Sequence, residues 1–523
     1  MFKQKKRKKM IVVFLTVFML MSSINIYSLA DVKTGPDINF RDIEVFIDGK
    51  KVGFQIGSET MEPLIYKDRV YVPIKTIAEL LGKAVVWDGK KNNVVIEAKA
   101  EEVVETSEEE VVEKPEETIE FYELEELNWE PKTREALNNF MKKYGKSSPD
   151  YDPNQRPYVV FDFDNTTAFF DVQEQMLIYQ LENLEFKIHP DQMYDVLCTE
   201  VPKDNFLQEY NSLDGKSLNI DIVARDISKA YKWLYENYEG FGAGGTMTLE
   251  EVRETPEYQE FITKVRYLYD AIGDTFDAAV SYPWVTYLFT GMTKEEVLDL
   301  ATRSHDYWFA YDVWSKRTWT SPEDYPSEAG VVTATYLTST RLPEESVGLY
   351  QKLAANGFDI YVVSASFIDA IEALAYNPKY GLNVESGRVY AMMLKTDSEG
   401  RYINEYDYDN YYQTQGPGKV KTIDKFIAPK YNGRGPIFVA GDSQGDYNMM
   451  TEYEDTVLNL IVNRVRKDDF KYISKEAVEQ YGDPNAKYVM QGRNENTGRY
   501  IPSIGSIRLG KTEIQILTEE MLD

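Results

Sequence analysis

Tyr158-Val159-Val160-Phe161-Asp162-Phe163-Asp164-Asn165-Thr166-Thr167 is the stretch that decides the fold. Four apolar, β-favouring residues run without alternation into two aspartates one residue apart. An unbroken apolar run of this length marks a strand buried on both faces of a parallel sheet. Acids at its carboxyl end stand where open α/β sheets gather their ligands. The i, i+2 spacing turns both carboxylates out of the loop just past the strand. One, Asp162, is placed to attack as a nucleophile, and the other, Asp164, to move a proton.

Three further stretches repeat the pattern downstream. Phe358-Asp-Ile-Tyr-Val-Val-Ser364-Ala-Ser366 is an apolar strand ending in small hydroxyls, preceded by a helix from Glu345 that stops at Gly357. This gives a strand–helix–strand cadence, and Ser364 can donate to an anionic oxygen. Gly416-Pro-Gly-Lys419-Val-Lys421 opens an amphipathic helix expected to reach Ile427. Its leading lysine, Lys419 or Lys421, can neutralise an anion and a nucleophile together. Pro436-Ile-Phe-Val-Ala-Gly441-Asp442-Ser-Gln-Gly445-Asp446 is a strand ending in acids at i and i+4, oxygen donors suited to a hard cation. Each piece alone is common; four at strand ends in this order point to one site.

Composition fits chemistry run on carboxylates, hydroxyls and lysine. The chain has 523 residues, 43% hydrophobic and 13% aromatic, enough for two to four folded units. Its 58 basic against 87 acidic residues give a net charge of −29, which disfavours nucleic acid as a partner. The single cysteine, Cys198, excludes an internal disulfide, a cysteine zinc site and an iron–sulfur cluster. The two histidines, His189 and His305, cannot make a three-histidine metal centre. No internal repeat is visible.

These four stretches resemble the motifs of the haloacid dehalogenase (HAD) superfamily of Mg-dependent phosphohydrolases, over nearly all of residues 128–523. The resemblance implies an α/β fold, a Rossmann-like core with a large helical cap inserted between the first and second motifs, at about 172–345. It implies Asp162 as a nucleophile that becomes an aspartyl-phosphate and Asp164 as general acid/base. It also implies phosphate binding by Ser364, Lys419, Asn165 and Thr166, and Mg²⁺ at Asp162, Asp164, Asp442 and Asp446. Lys419 is preferred to Lys421, because its spacing to Ile423 is that of the family. An aspartate at position 164, where the dehalogenases lack one, favours phosphate ester over carbon–halogen cleavage.

The expected cap is rich in aromatics: Tyr231, Trp233, Tyr235, Tyr282, Trp284, Tyr287, Trp308 and Trp314 among others. Most are expected to pack the cap's own interior, and a cap of this size favours small phosphomonoesters. Asp171, nine residues past Asp162, and Glu174 after it are candidate partners of a substrate cation, although Asp171 also reads as a helix N-cap. Asp164-Asn-Thr-Thr, Asp359-Ile-Tyr-Val-Val-Ser-Ala-Ser366, Asn463-Arg464 and Gln491-Gly-Arg493 resemble secreted phosphorylcholine phosphatases of the phosphoserine phosphatase-like branch. This implies a phosphocholine-like substrate, with a broad small-molecule acid phosphatase or a phosphoserine-type phosphatase as alternatives. A non-catalytic cell-surface binding protein is the rival from another class.

Ahead of this part stand three shorter ones. Six cations within Met1–Lys9, an apolar run from Met10 to Met21 and Ser28-Leu29-Ala30 read as a cleavable signal peptide over 1–30. The apolar run fits the roughly 7–15 residues of such a segment and falls short of the ~20 that span a bilayer. The expected location is therefore secreted or cell-surface, with no membrane span after cleavage. Residues 39–99 read as strands around Ile43–Lys50 and Arg69–Ile74, a helix at Lys75–Gly82 and a hairpin from Ala84 to Ile96. They resemble the copper amine oxidase-like N-terminal domain, implying a small α+β module without redox chemistry, a spacer or a contact to the cell wall or surface. Residues 100–127 form an acidic run in which like charges keep a linker extended.

Overall fold

The computed structural model describes residues 120–517 in full and, before them, the backbone of the strands between Ile38 and Ala98. The signal peptide, the Lys75–Gly82 helix and most of the acidic linker lie outside the described residues. The chain divides between Pro115 and Glu116 into two units. In the first, Ile38–Asn39, Leu64–Tyr66 and Arg69–Tyr71 form a three-stranded antiparallel sheet. Three hairpins accompany it: Val45–Ile47 with Lys50–Val52 across Asp48-Gly49, Gln55–Ile56 with Glu59–Thr60, and Lys83–Asp88 with Asn93–Ala98.

The second unit is built on a seven-stranded sheet. Its strands are β1 (Tyr158–Phe161), β2 (Asp359–Phe367), β3 (Val389–Met392), β4 (Phe438–Gly441), β5 (Leu458–Val462), β6 (Tyr488–Asn494) and β7 (Arg499–Ile501). They lie in the order β3-β2-β1-β4-β5-β6-β7, all neighbours parallel except the last pair. The strand carrying Asp162 is thus central, flanked by those carrying Ser364 and Asp442. Successive residues of β1 serve opposite cores. Val159 and Phe161 pack with Ile360, Val362 and Phe438 on one face, while Tyr158 and Val160 pack with Tyr361, Val363 and Val439 on the other. Burial on both faces is why these strands read as unbroken apolar runs.

Helix α1 (Pro131–Tyr144) covers the first face with α7 (Glu344–Ala355). The last residues assigned to the linker are drawn onto this face: Leu124 is buried, and its N–H donates to Asn138 Oδ1 at 2.9 Å. Between β1 and β2 the chain forms α2 (Val172–Asn183), α3 (Ile220–Asn237), α4 (Pro256–Thr275), α5 (Ala278–Trp284) and α6 (Lys294–Ala310). A hairpin, Lys316–Thr320 with Thr333–Leu337, closes this otherwise helical insertion. Its aromatics divide as burial demands: Tyr231, Trp284, Tyr287 and Trp308 are internal, whereas Tyr282 and Tyr307 are exposed.

This insertion shares its core with the sheet domain. Phe367 from the end of β2, Ala370 and Ala373 of α8 (Ile368–Ala375), and Leu394, Tyr402 and Tyr406 belong to the same buried cluster as Leu177, Phe261 and Leu300. A second hairpin, Leu394–Thr396 with Tyr402–Tyr406, stitches the two by backbone bonds: Gly291 N–H donates to Tyr402 O and Tyr402 N–H to Met292 O, both at 2.8 Å. The helix expected to reach Ile427 is shorter. Helix α9 (Pro417–Thr422) passes into a single wide turn at Ile423–Ile427, followed by Pro429, which lacks the N–H to continue it.

Candidate active site

The carboxyl ends of β1, β2 and β4 and the start of α9 meet in one buried cluster of polar side chains. Asp162 extends the β1–β4 ladder by one residue, its N–H donating to Ala440 O at 3.0 Å. Beyond it the chain turns sharply. Asn165 lies in the left-handed region (φ 63°), and Thr167 and Ala168 donate back to Phe163 O at 2.8 and 2.9 Å. Asp162 lies before this turn and Asp164 within it. Asp162 faces α9 and β4, while Asp164 faces β2 and the N-terminus of α2.

Lys419 reaches Asp162 from the first turn of α9. Its buried ammonium pairs with Asp162 Oδ1 and, at 2.7 Å, with Asp446 Oδ1, whereas Lys421 is exposed. The other Asp446 oxygen accepts the N–H groups of Asp442 (3.0 Å) and Ser443 (3.1 Å), which ties the loop after β4 to itself. Asp442 accepts the Thr166 hydroxyl on Oδ1 and the Arg464 guanidinium on Oδ2, both at 2.8 Å. One carboxylate oxygen each from Asp162, Asp442 and Asp446 lie within 4.8 Å of one another. Burial, reinforced by Asp446, lifts the Asp162 carboxyl well above its ordinary value against the pull of Lys419. Burial works against the Lys419 ammonium, yet Asp162 and Asp446 raise it above the usual lysine range and keep it cationic. Three buried acids against one lysine and one arginine is an oxygen-donor set short of positive charge, so a divalent cation fits it.

The Asp164 carboxylate stands apart from this group. Its Oδ1 accepts the Val172 N–H at 2.7 Å, at the start of α2, and its Oδ2 accepts hydroxyls of Ser366 at 2.6 Å and Ser364 at 3.3 Å. Burial first, then repulsion from Asp171, pushes its carboxyl up to about 8, which favours the protonated form over that of an ordinary aspartate. Ser366 carries the shorter bond and was not singled out from sequence. The signal was its i, i+2 spacing from Ser364, which puts both hydroxyls on one side of β2 where its register against β3 shifts.

Other expected site residues are engaged differently. Asn165, expected on phosphate, accepts Arg493 on both its carbonyl (3.1 Å) and its side-chain oxygen (3.0 Å). Thr166, also expected there, bridges Asp442 and Asp162, at 2.8 and 3.3 Å. Asp171 is the N-cap of α2, accepting Glu174 N–H at 2.9 Å, and burial raises its carboxyl. Glu174 pairs with Arg266 Nη2 of α4 at 2.7 Å, and burial pushes it up to about 7. Tyr282 of α5, 41% exposed, stands near enough to this cluster that, after burial, Asp171, Asp446 and Asp162 raise its phenol against the pull of Lys419. Arg464 and Arg493 had been noted only as part of a resemblance, with no role attached.

Residues 46–122 match the copper amine oxidase N-terminal domain family. A phosphorylcholine phosphatase of Pseudomonas aeruginosa is 26% identical over 224 residues, 36% of this chain and 57% of that protein. The chain thus spans little more than half the length of this curated relative. A solved structure of a conserved protein of unknown function from Anaerococcus prevotii DSM 20548 is 35% identical, with a TM-score of 0.68, over 73% of this chain and 98% of its own. A phosphoserine phosphohydrolase-like protein from Francisella tularensis subsp. tularensis SCHU S4 is 15% identical over 58% of this chain and 87% of its own, with a TM-score of 0.26. The chain belongs to the family of the Anaerococcus prevotii protein.

Proposed function

We propose that the chain is an exported, Mg²⁺-dependent phosphomonoesterase acting on small, cationic phosphomonoesters of the phosphocholine type. The observation that carries the catalytic reading is the division of labour between the two aspartates. Asp162 is paired with Lys419 inside an oxygen-lined cation site, while Asp164 is held apart and protonated by its surroundings.

Asp162, Asp442 and Asp446 would hold the ion, which when bound supplies positive charge to the phosphoryl oxygens. Lys419 offsets the repulsion between the Asp162 carboxylate and an anionic ester. An Asp162 oxygen attacks phosphorus, the bond from phosphorus to the alcohol oxygen breaks, and Asp164 gives its proton to that oxygen. The carboxylate left at Asp164 then takes a proton from water as the water attacks the aspartyl-phosphate. Phosphate leaves, Asp162 is regenerated and Asp164 is again protonated. Ser364 and Ser366 hold Asp164 on this path.

For the substrate, Asp171 and Glu174 place acid at the start of α2, where Val172 bonds Asp164, and Tyr282 is close enough to these acids for Asp171 to act on its phenol. A quaternary ammonium against such a ring gains ~0.5–2 kcal/mol. The name of the Pseudomonas aeruginosa relative agrees with this reading. Arg266 beside Glu174 favours a second reading, a phosphoserine-type substrate whose carboxylate it would meet. Turnover of phosphocholine, phosphoethanolamine, phosphoserine and glycerol phosphate with Mg²⁺ separates them. Phosphocholine should lead by tenfold or more in kcat/KM, and parity with glycerol phosphate removes the cation site. Asp162→Asn should abolish turnover of all four. Export through residues 1–30 would leave a mature N-terminus at Asp31, readable by mass.

A further inference from the structure

Among the described residues, the chain beyond β4 carries a connected set of charges that the catalytic reading does not use. At the tip of β5, Arg464 reaches sideways to Asp442 Oδ2 (2.8 Å), with its own side chain 25% exposed. The next residue, Val465, has φ 55°. A β-branched residue in the left-handed region is strained, and such strain persists only where neighbours over-determine the backbone. Here they do. Asn463 Oδ1 accepts the Val465 N–H and Asn463 Nδ2 donates to Ile504 O, both at 2.7 Å, and the Ser506 hydroxyl donates to Asn463 O at 2.7 Å. Arg508 Nη1 donates to the Arg464 carbonyl.

The set continues to the other side of the cation site. Arg508 Nε donates to Glu495 Oε2 at 3.1 Å, Glu495 Oε1 accepts Arg493 Nη2 at 2.9 Å, and Arg493 holds Asn165 in the turn after Asp162. A chain of arginines and one glutamate therefore runs from the Asp162 loop to Asp442. These are the two loops whose carboxylates must face one another across a cation.

We infer that Arg464 is a positioning residue for the cation site. It fixes Asp442 by the outer oxygen, Oδ2, so that Oδ1 is presented towards Asp162 and Asp446, and the Arg508–Glu495–Arg493 chain sets its distance from the Asp162 loop. The inference rests on the reading of Asp162, Asp442 and Asp446 as a divalent-cation site. Outer groups that orient a ligand change metal affinity about 10–100-fold when removed, even though an arginine's own charge repels the metal.

The test is Mn²⁺ binding alone, by titration calorimetry on the full chain without substrate, with the melting temperature measured beside it. Arg464→Gln should weaken Mn²⁺ at least about tenfold, and Arg464→Lys, which keeps the charge without the planar fork, should fall between it and the unsubstituted chain. Should Arg464→Gln not fold, Arg464→Lys decides. Arg508→Gln, which leaves Asp442 untouched, should weaken Mn²⁺ less but in the same direction. Unchanged or tighter Mn²⁺ binding in the Arg464 variants, with or without a lower melting temperature, overturns the inference and leaves the cation site standing. No Mn²⁺ binding by the unsubstituted chain overturns both.

Discussion

Two aspartates separated by one phenylalanine have different surroundings because the chain leaves the sheet after Asp162, and Asp164 stands inside the turn that follows, next to the left-handed Asn165. Asp162 shares Lys419 with Asp446, while Asp164 faces two serines and a helix N-terminus that cannot cancel its burial. On the proposed reading this difference makes Asp164 the proton donor, which predicts how its loss reads out. In Asp164→Asn, a leaving group that needs no proton should still depart once. p-Nitrophenyl phosphate should therefore give a burst near one p-nitrophenol per enzyme and then stall, because no base activates water. Alkyl phosphates, which need the proton first, should lose about 10²–10⁴-fold in turnover with no burst. Steady p-nitrophenol release at the unsubstituted rate would remove Asp164 from the chemistry. At this scale the sequence was readable for Asp162 and Asp442, because each stands at the end of an unbroken apolar run, whereas the choice of Lys419 over Lys421 came only from the family resemblance. It was not readable for Arg493, whose partner Asn165 is 328 positions away. Nothing local distinguishes such an arginine from one facing solvent.

Strand ends were more legible than helix ends. Tyr158–Phe161 and Phe438–Gly441 announce themselves because both faces are covered. The run from Asp359 continues three residues past Ser364 because Ser366 and Phe367 are still held in the sheet, where hydroxyls looked like a stop. The union of the helical insertion with the sheet domain had no sequence signature, since it is made by side chains from both sides of β2. His305 of α6 shows what it costs to build. It is wholly buried, and its Nε2 lies 3.0 Å from the Ala370 carbonyl of α8. Burial lowers its pKa to about 4, below an unfolded value near 6.5. Between those values the unfolded chain takes up a proton and the folded chain does not, so stability falls as pH drops from about 6.5 to 4 and no further below. The loss from this residue amounts to roughly 3 kcal/mol. Denaturant melts of His305→Gln at pH 7 and pH 4.5 should differ by about 2 kcal/mol less than melts of the unsubstituted protein, since part of the loss comes below pH 4.5. An equal pH dependence would place the acid sensitivity elsewhere.

At the scale of the molecule, the chain is two units with unequal duties. Every side chain in the proposed chemistry and in the arginine chain lies between Asp162 and Arg508, inside the unit that begins at Glu116. The first unit matches a domain family of its own and presents no histidine. The division of the chain therefore predicts a separation of function. Residues 116–523 produced alone should fold, bind Mn²⁺ with an affinity within about twofold of the full chain and keep kcat/KM for p-nitrophenyl phosphate within the same factor, as expected for units that could fold alone. Any attachment to a cell wall or surface should be lost with residues 1–115. The cut precedes the first described anchors of this unit, Tyr122, bonded to the Asn356 side chain in both directions, and Leu124, held by Asn138 of α1. Moving it past that point, to begin at Asn128, should lower the melting temperature, since it strips a buried leucine and leaves the Asn138 side chain without its backbone donor. If the 116–523 protein instead lost its activity while staying folded, the catalytic machinery would have to include residues of the first unit, and the division of labour between the two would be wrong.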